Sequence, residues 1–412
     1  MFDKKIFLLL FSPLFVQAQI ANQGNLFIGS EAKVSTYYDF QNQVSGNVLN
    51  DGEFHFFANY ENNGLFSFST NKTTGYVIFK GLTNQTQKIT GKSPSFFYDV
   101  LYNHAQGFDL KNEITTKGTV NLYDGVVVVD KESDGAFIFL KGSNHINTSD
   151  KSHVQGEVTK EGNEKFSYPI GDQGFYRMAS ISAPASQSDS FTGEYVLDSA
   201  NPKYAAASKS KIIDKIDNKE YWNINKKGSS KNKVLVTLTW EERTTPDFLL
   251  NENTDRLHIV RWDDVNKIWV DEGGIVDKAS KSVTTIAEVS EYGMFTLATV
   301  KQNLVNPGQV VIYNGVTANG DGKNDYFLID NIWLYPQNKV TIFNRWGHQV
   351  FETENYDSNG NVFDGHAQGK TVVNASEKLP TGTYYYILEY LYTENNTNQW
   401  IKKAGFIHLE TE

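Results

Sequence analysis

Cysteine is absent from the 412 residues. That excludes disulfides, thiolate metal sites, cysteine nucleophiles and a lipid anchor on an N-terminal cysteine. The fold must then rest on burial and hydrogen bonding, which larger domains supply without covalent staples. Methionine is scarce as well, at 3 residues. A basic excess is missing too: the formal net charge is −10. A nucleic-acid or anionic-membrane partner is therefore not expected, because either needs a basic patch to release counterions. Beyond residue 16 no run is long and apolar enough to span a membrane, for which ~20 residues are needed. The chain has no His-Glu-x-x-His, no Gly-x-Ser-x-Gly and no Walker loop, and its 8 histidines are scattered singly. It is not read as an enzyme.

What is present begins with an export leader. Lys4 and Lys5 precede an apolar run from Ile6 to Val16, and Val16-Gln17-Ala18 places apolar or small residues where a signal peptidase reads them. The run is too short for a spanning helix. Residues 1–18 are thus expected to be a cleaved signal peptide, leaving Gln19 first.

The remainder is rich in rings, with 27 Phe, 22 Tyr and 7 Trp, a balance that suits pleated surfaces and predicts an all-β protein. Its length predicts two to four domains of ~100 to 200 residues. Short strand-like runs fill residues 19–185, for example Phe54-His55-Phe56-Phe57, Tyr76-Val77-Ile78-Phe79 and Ala136-Phe137-Ile138-Phe139, bounded by Gly, Asn or Asp. They succeed one another without hairpin dipeptides. Coils of roughly 20 to 25 residues would suit a β-solenoid; a β-sandwich is the alternative. Further on, Pro169 and Gly171 are expected to shape a turn, with Asp172 accepting from backbone or from Arg177. The small, polar stretch Ser180 to Ser190 reads as a linker or exposed loop.

Residues 190–300 alternate in strand style and predict an immunoglobulin-like β-sandwich. Tyr221, Trp222, Trp240, Trp262 and Trp269 could form a sugar platform if exposed together, although core is the commoner fate of strand aromatics. A boundary at Asn306-Pro307-Gly308 opens residues 306–412. There, Asn319-Gly320-Asp321-Gly322-Lys323-Asn324-Asp325 spaces side-chain oxygens around glycines, as calcium loops do. Asn319, Asp321 and Asp325 are the candidate ligands. Thr317 and Leu328 stand where an EF-hand has its strongest ligands, so an Asx-turn network without metal is the competing reading. Asn344-Arg345-Trp346-Gly347 predicts a tight turn with Arg345 on a ring or a carboxylate. In the last long strand Tyr384, Tyr386, Leu388 and Tyr390 share one face, and Tyr385, Ile387 and Leu391 the other, which predicts burial from two sides.

This ordered set, with Leu379-Pro380-Thr381-Gly382 after it, resembles the gliding-motility-associated C-terminal domain (type B) of proteins exported by the type IX secretion system of the Bacteroidota. The resemblance spans roughly Val310 to Leu409. It implies a C-terminal β-sandwich secretion domain that stays attached and is read by the outer-membrane translocon together with a PorP/SprF-type outer-membrane barrel. The role carries to Asn319, Gly320, Asp321, Gly322, Asn324, Asp325, Asn344, Arg345, Trp346, Gly347, Pro380 and Gly382. Ala318 stands where the family usually has Pro, and Phe363 where it usually has Trp. Asp198-Ser199-Ala200 is similar to the short O-glycosylation signal of these bacteria. The implied protein crosses the outer membrane to the cell surface or the medium, with a non-catalytic surface, adhesion or motility role and surface glycans as a further candidate partner. A structural component associated with the translocon is one alternative. A polysaccharide-active enzyme, with carboxylates brought together from different coils, is another.

Overall fold

The computed structural model describes residues 19–198, 208–210, 212–251, 254–301, 310–321, 323–357, 360–368, 378–394 and 397–411. The expected signal peptide, Ser199-Ala200 and the Asn306-Pro307-Gly308 boundary lie outside the described residues.

From Gln19 the chain winds into a parallel β-solenoid of about seven turns. The sandwich alternative fails here because each strand pairs in parallel with the strands one coil before and after it. One sheet runs from Gln19–Asn22 to Val154–Gln155, a second from Asn25–Ile28 to Val158–Glu161, and a third from Lys33–Thr36 to Asn144–Ile146. Alternation along each strand sends every second side chain inward. In-register pairing then stacks like on like: Phe56 pairs with Phe79, Phe79 with Tyr102 and Tyr102 with Leu122, all fully buried. Phe79 and Tyr102 stack with ring centroids 5.5 Å apart. Such pairs add ~0.5–1.5 kcal/mol each beyond the area they bury.

One corner of the solenoid is held by amides. Asn22 Nδ2 donates to Asn42 Oδ1 (2.9 Å), and Asn42 Nδ2 donates to Asn62 Oδ1 (2.8 Å). Asn62 Nδ2 donates to Ser95 Oγ (3.1 Å), which donates to Asn112 Oδ1 (3.0 Å). The ladder needs the chain to pass close by. A Cβ on Gly46 would sit 2.0 Å from Asn42 Oδ1.

The last coil does not end in an open edge. Val158–Glu161 pairs in parallel with Ala136–Phe139 and antiparallel with Ser190–Leu197, so the second solenoid sheet continues into Glu220–Lys227, Gly293–Val300, Leu257–Asp263 and Ile268–Asp271. Facing it is an antiparallel sheet of Phe166–Tyr168, Ala179–Ile181, Val236–Thr239, Ser282–Thr284 and Ile275–Asp277. Together they form a sandwich that caps the solenoid, as exposed strand edges require, and one hydrophobic core runs from Ile28 to Leu297. The Ser180–Ser190 stretch is accordingly no linker. Ser180 is buried within a strand, and buried Asp189 accepts from the Ser186 amide (3.1 Å), Asn232 Nδ2 (2.8 Å) and Ser230 Oγ. The expected turn also moves. Gly171–Asp172 pairs with Phe175–Tyr176, and the reversal falls on Gln173 (φ 53°) and Gly174 (φ 81°), both in the left-handed region that two-residue hairpins demand.

Between the two sandwich sheets lies a buried ion pair. Arg177 Nη2 donates to Glu220 Oε1 (2.9 Å) and to the Thr239 carbonyl (2.6 Å), while Tyr195 Oη and Thr245 Oγ1 each donate to Glu220 at 2.6 Å. Arg177 therefore does not pair with Asp172, whose Oδ2 accepts from the Leu197 amide (3.0 Å). Beside this pair, burial, reinforced by the charge of Glu220, pushes the Asp217 carboxyl well above the usual carboxylate range. A raised carboxyl contributes fully below its unfolded pKa of ~4, and its contribution falls as pH rises through the elevated folded value. Asp217→Asn keeps the Oδ1 that accepts from the Lys219 and Glu220 amides. Urea unfolding across pH should show the variant gaining on the wild type from about pH 4 towards neutrality. A parallel pair of stability curves would contradict that.

The C-terminal region is a five-stranded sheet in the order Gly315–Thr317, Thr397–Glu410, Gly382–Glu394, Asn338–Phe343, Gln349–Glu354, faced by the short pair Val311–Ile312 and Ile329–Asp330. Tyr384, Tyr386, Leu388, Tyr390, Val340, Ile342, Ile407 and Leu409 form its own core with Phe327, Ile329 and Ile332. Phe363 is fully buried there.

Candidate functional site

Three separate pieces of chain reach one end of this sheet. Thr317 pairs with Glu410, Gly382 with Leu409, and Phe343 with Tyr385. The Asn319–Asp325 loop, the Pro380–Gly382 entry and the Asn344–Gly347 turn therefore leave from the same end of a four-strand span, about 14 Å across at ~4.8 Å per strand. The Ala318 amide ties the loop to the Glu410 carbonyl (3.0 Å). Gly365 (φ 85°) fits beneath, where a Cβ would lie 3.1 Å from Ala318 Cβ.

Each piece is held by its own side chains. The Gly320 amide donates to Asp325 Oδ1 (2.7 Å), the Lys323 amide to Asp321 Oδ1 (2.8 Å) and the Asp321 amide to Asn319 Oδ1 (3.2 Å). Gly320 (φ 77°) and Asn324 (φ 54°) adopt the left-handed conformation such a loop requires. This is an Asx-turn network. Gly322 lies outside the described residues. Among the described residues no group of three or more His, Asp or Glu side chains is placed to hold a metal ion.

In the second piece, Asn344 Oδ1 accepts from the amides of Trp346 and His348, both at 3.0 Å, and Gly347 turns the chain at φ 78°. Arg345 lies over the Trp346 ring at 4.2 Å, and Trp346 is 62% exposed. The expected tight turn is present, with the guanidinium on the ring rather than on a carboxylate. In the third, Tyr384 Oη donates to the Pro380 carbonyl (2.8 Å). Thr381 Oγ1 accepts from the Thr411 amide (2.9 Å), while Thr411 Oγ1 donates to the Leu379 carbonyl (2.9 Å). Thr381 and Thr411 thus clasp the sheet end, a role not assigned from sequence although Thr381 stands inside the motif.

The result is an exposed ledge carrying an amide, a guanidinium and an indole beside an acidic loop. It is suited to protein recognition. Of the sandwich aromatics proposed as a platform, Tyr221 is partly buried. Trp222, Trp240, Trp262 and Trp269 are buried core, whereas the solvent-facing indoles are Trp333, Trp346 and Trp400 in the C-terminal region.

A comparison with curated proteins and one with solved structures each found no match. No described helix is long and apolar enough to cross a membrane. The model of the CHU_C type IX secretion signal domain matches residues 310–409, the sheet and the ledge just described. The protein thus carries a type IX secretion signal domain and is a substrate of that system, exported to the cell surface or outside through contact with the secretion machinery.

Proposed function

We propose that residues 19–300 form a non-catalytic, glycan-binding adhesive passenger, delivered by a signal domain of the gliding-motility-associated type that a PorP/SprF-type outer-membrane barrel reads. One observation carries the passenger reading. On the outer face of the first coils the Tyr37 and Phe57 rings stack 4.8 Å apart at 14°, with the His55 ring 6.1 Å from Phe57 at 23°. Tyr37 is 64% exposed. An exposed ring lying flat on half-buried Phe57, with half-buried His55 beside it, offers an apolar platform with polar groups at its rim, the chemistry that takes up the C–H face of a sugar.

The carboxylates of these coils do not all shift one way. Glu53 is held below the usual range by its hydrogen bond from Lys33, and Asp130 by its bond from Ser133. A glycosidic general acid needs the opposite shift, which burial gives to Asp99; the passenger reading therefore stands on the ring platform. On a glycan array the full chain should bind at least one surface polysaccharide class, and Tyr37→Ala with Phe57→Ala should abolish that binding; a blank array would sink the reading.

The same logic applies to the acidic loop. Asp321 and Asp325 already serve backbone amides, so the Asx network stands without calcium. A binding cation would stabilise the folded state by mass action. We expect the same melting temperature in millimolar calcium and in chelator, and a rise of several degrees in calcium would reinstate the metal.

A further inference from the structure

Part of the outer face of the signal sheet is covered too, and by the passenger, while Phe406 and Trp400, paired with Tyr385 and Leu391 on that face, stay exposed. Phe343, Tyr385, Ile387 and Ala404 lie on three adjacent strands opposite the core-facing residues. They pack on Ile275, Ile286 and Ala287 of the sandwich, leaving Ile286 1%, Ile387 7% and Phe343 9% exposed. Charge follows the same seam. Glu272 accepts from Arg261 Nε of its own sheet (3.0 Å) and meets Lys402 Nζ of the signal sheet at 3.5 Å.

The seam also reaches the ledge. A Cβ on Gly347 would sit 2.9 Å from Leu235 Cδ1 of the sandwich, and His348 acts electrostatically on Glu288 across the gap. The turn that bears Arg345 and Trp346 is therefore braced by passenger residues, while Trp346 itself stays 62% exposed. Left uncovered, the Phe343–Ile387 face would be an apolar patch of the kind soluble proteins keep small.

We infer that the secretion signal is read while docked on the sandwich. The Ile286 surface is the seat of the signal domain, the seam fixes the Arg345–Trp346 turn, and the machinery meets the free ledge. This rests on residues 310–409 being the export signal and adds that the Phe343–Ile387 patch of its outer face is an internal contact, not a surface for the translocon.

Charge placed in the seam tests it in the full chain, with export measured as protein outside the cell against protein held in the periplasm. Ile286→Asp, which leaves every residue of the signal domain intact, and Ile387→Lys should each cut export at least fivefold. Combined, the two charges face each other, and export should return to within twofold of wild type. A general folding defect would not be rescued by its partner. Wild-type export by Ile286→Asp, or a double variant no better than the weaker single one, would overturn docked reading. Loss of residues 310–412 without loss of export would instead overturn the signal assignment, so the two failures are separable.

Discussion

Replacing Arg177 with alanine is expected to destabilise the passenger by about 3–5 kcal/mol, because a buried charge loses its partner. For a unit of this size that is on the order of 10 °C in melting temperature. Glu220 would keep the hydroxyls of Tyr195 and Thr245, but two neutral donors do not replace a guanidinium at 2.9 Å. Removing both charges, with Arg177→Met and Glu220→Leu together, should recover much of the loss, as apolar replacements of buried pairs generally do. Calorimetry of the two variants decides it. A drop below about 1 kcal/mol for the alanine variant would mean that the pair is solvated in a way its burial does not indicate.

The second large effect is expected at Asn62. Its Oδ1 accepts from Asn42 Nδ2 and the Gly64 amide, and its Nδ2 donates to the Ser93 and Pro94 carbonyls and to Ser95 Oγ. Asn62→Ala orphans several of these buried groups at ~1–3 kcal/mol each, so a total near 3 kcal/mol and a melting shift of roughly 5–10 °C are expected. Asn22→Ala is the contrast. It ends the ladder at a partly exposed first coil, and its cost should stay under about 1 kcal/mol. Equal losses from the two substitutions would show that the ladder is not what holds the corner.

The solenoid was legible because strand-like runs followed one another without hairpin dipeptides, and parallel coils are what remain when chain reversals are missing. Asn22, Asn42 and Asn62 recur at steps of twenty in plain view, yet they do not announce a ladder, since single asparagines look like turn residues. Gln173 hid its turn because glutamine seldom takes a positive φ. Ser180 to Ser190 read as a linker from composition alone, whereas its polarity serves buried partners such as Asp189. The two-faced pattern around Ile387 predicts cover on both sides, and the fold supplies it. What covers the second face has no local signal, because Ile286 lies about a hundred residues upstream and only the tertiary fold brings it there.

For the candidate site, the order of the motifs was visible in the chain, and their gathering at one sheet end was not. That follows from three registers, Thr317 with Glu410, Gly382 with Leu409 and Phe343 with Tyr385, which no local pattern encodes. The metal expectation illustrates a further limit. Alternating oxygens around glycine serve calcium and Asx turns alike; one oxygen each of Asp325 and Asp321 here accepts from a backbone amide, and the calcium titration decides whether the loop also holds a cation.

A stable passenger and an exposed ledge have a joint consequence. Arg177→Ala and Asn62→Ala change no residue of the signal domain, so they should lower the amount of folded protein rather than redirect it, whereas loss of the signal domain should redirect the chain without unfolding the passenger, whose core from Ile28 to Leu297 is its own. The most direct test is to truncate the chain after Lys301 and measure, in a secretion-competent host, where the passenger accumulates. The truncated chain should be folded, with the melting behaviour of the passenger, and confined to the periplasm while the full chain appears at the surface or in the medium. Truncated passenger outside the cell at the level of the full chain would contradict the account.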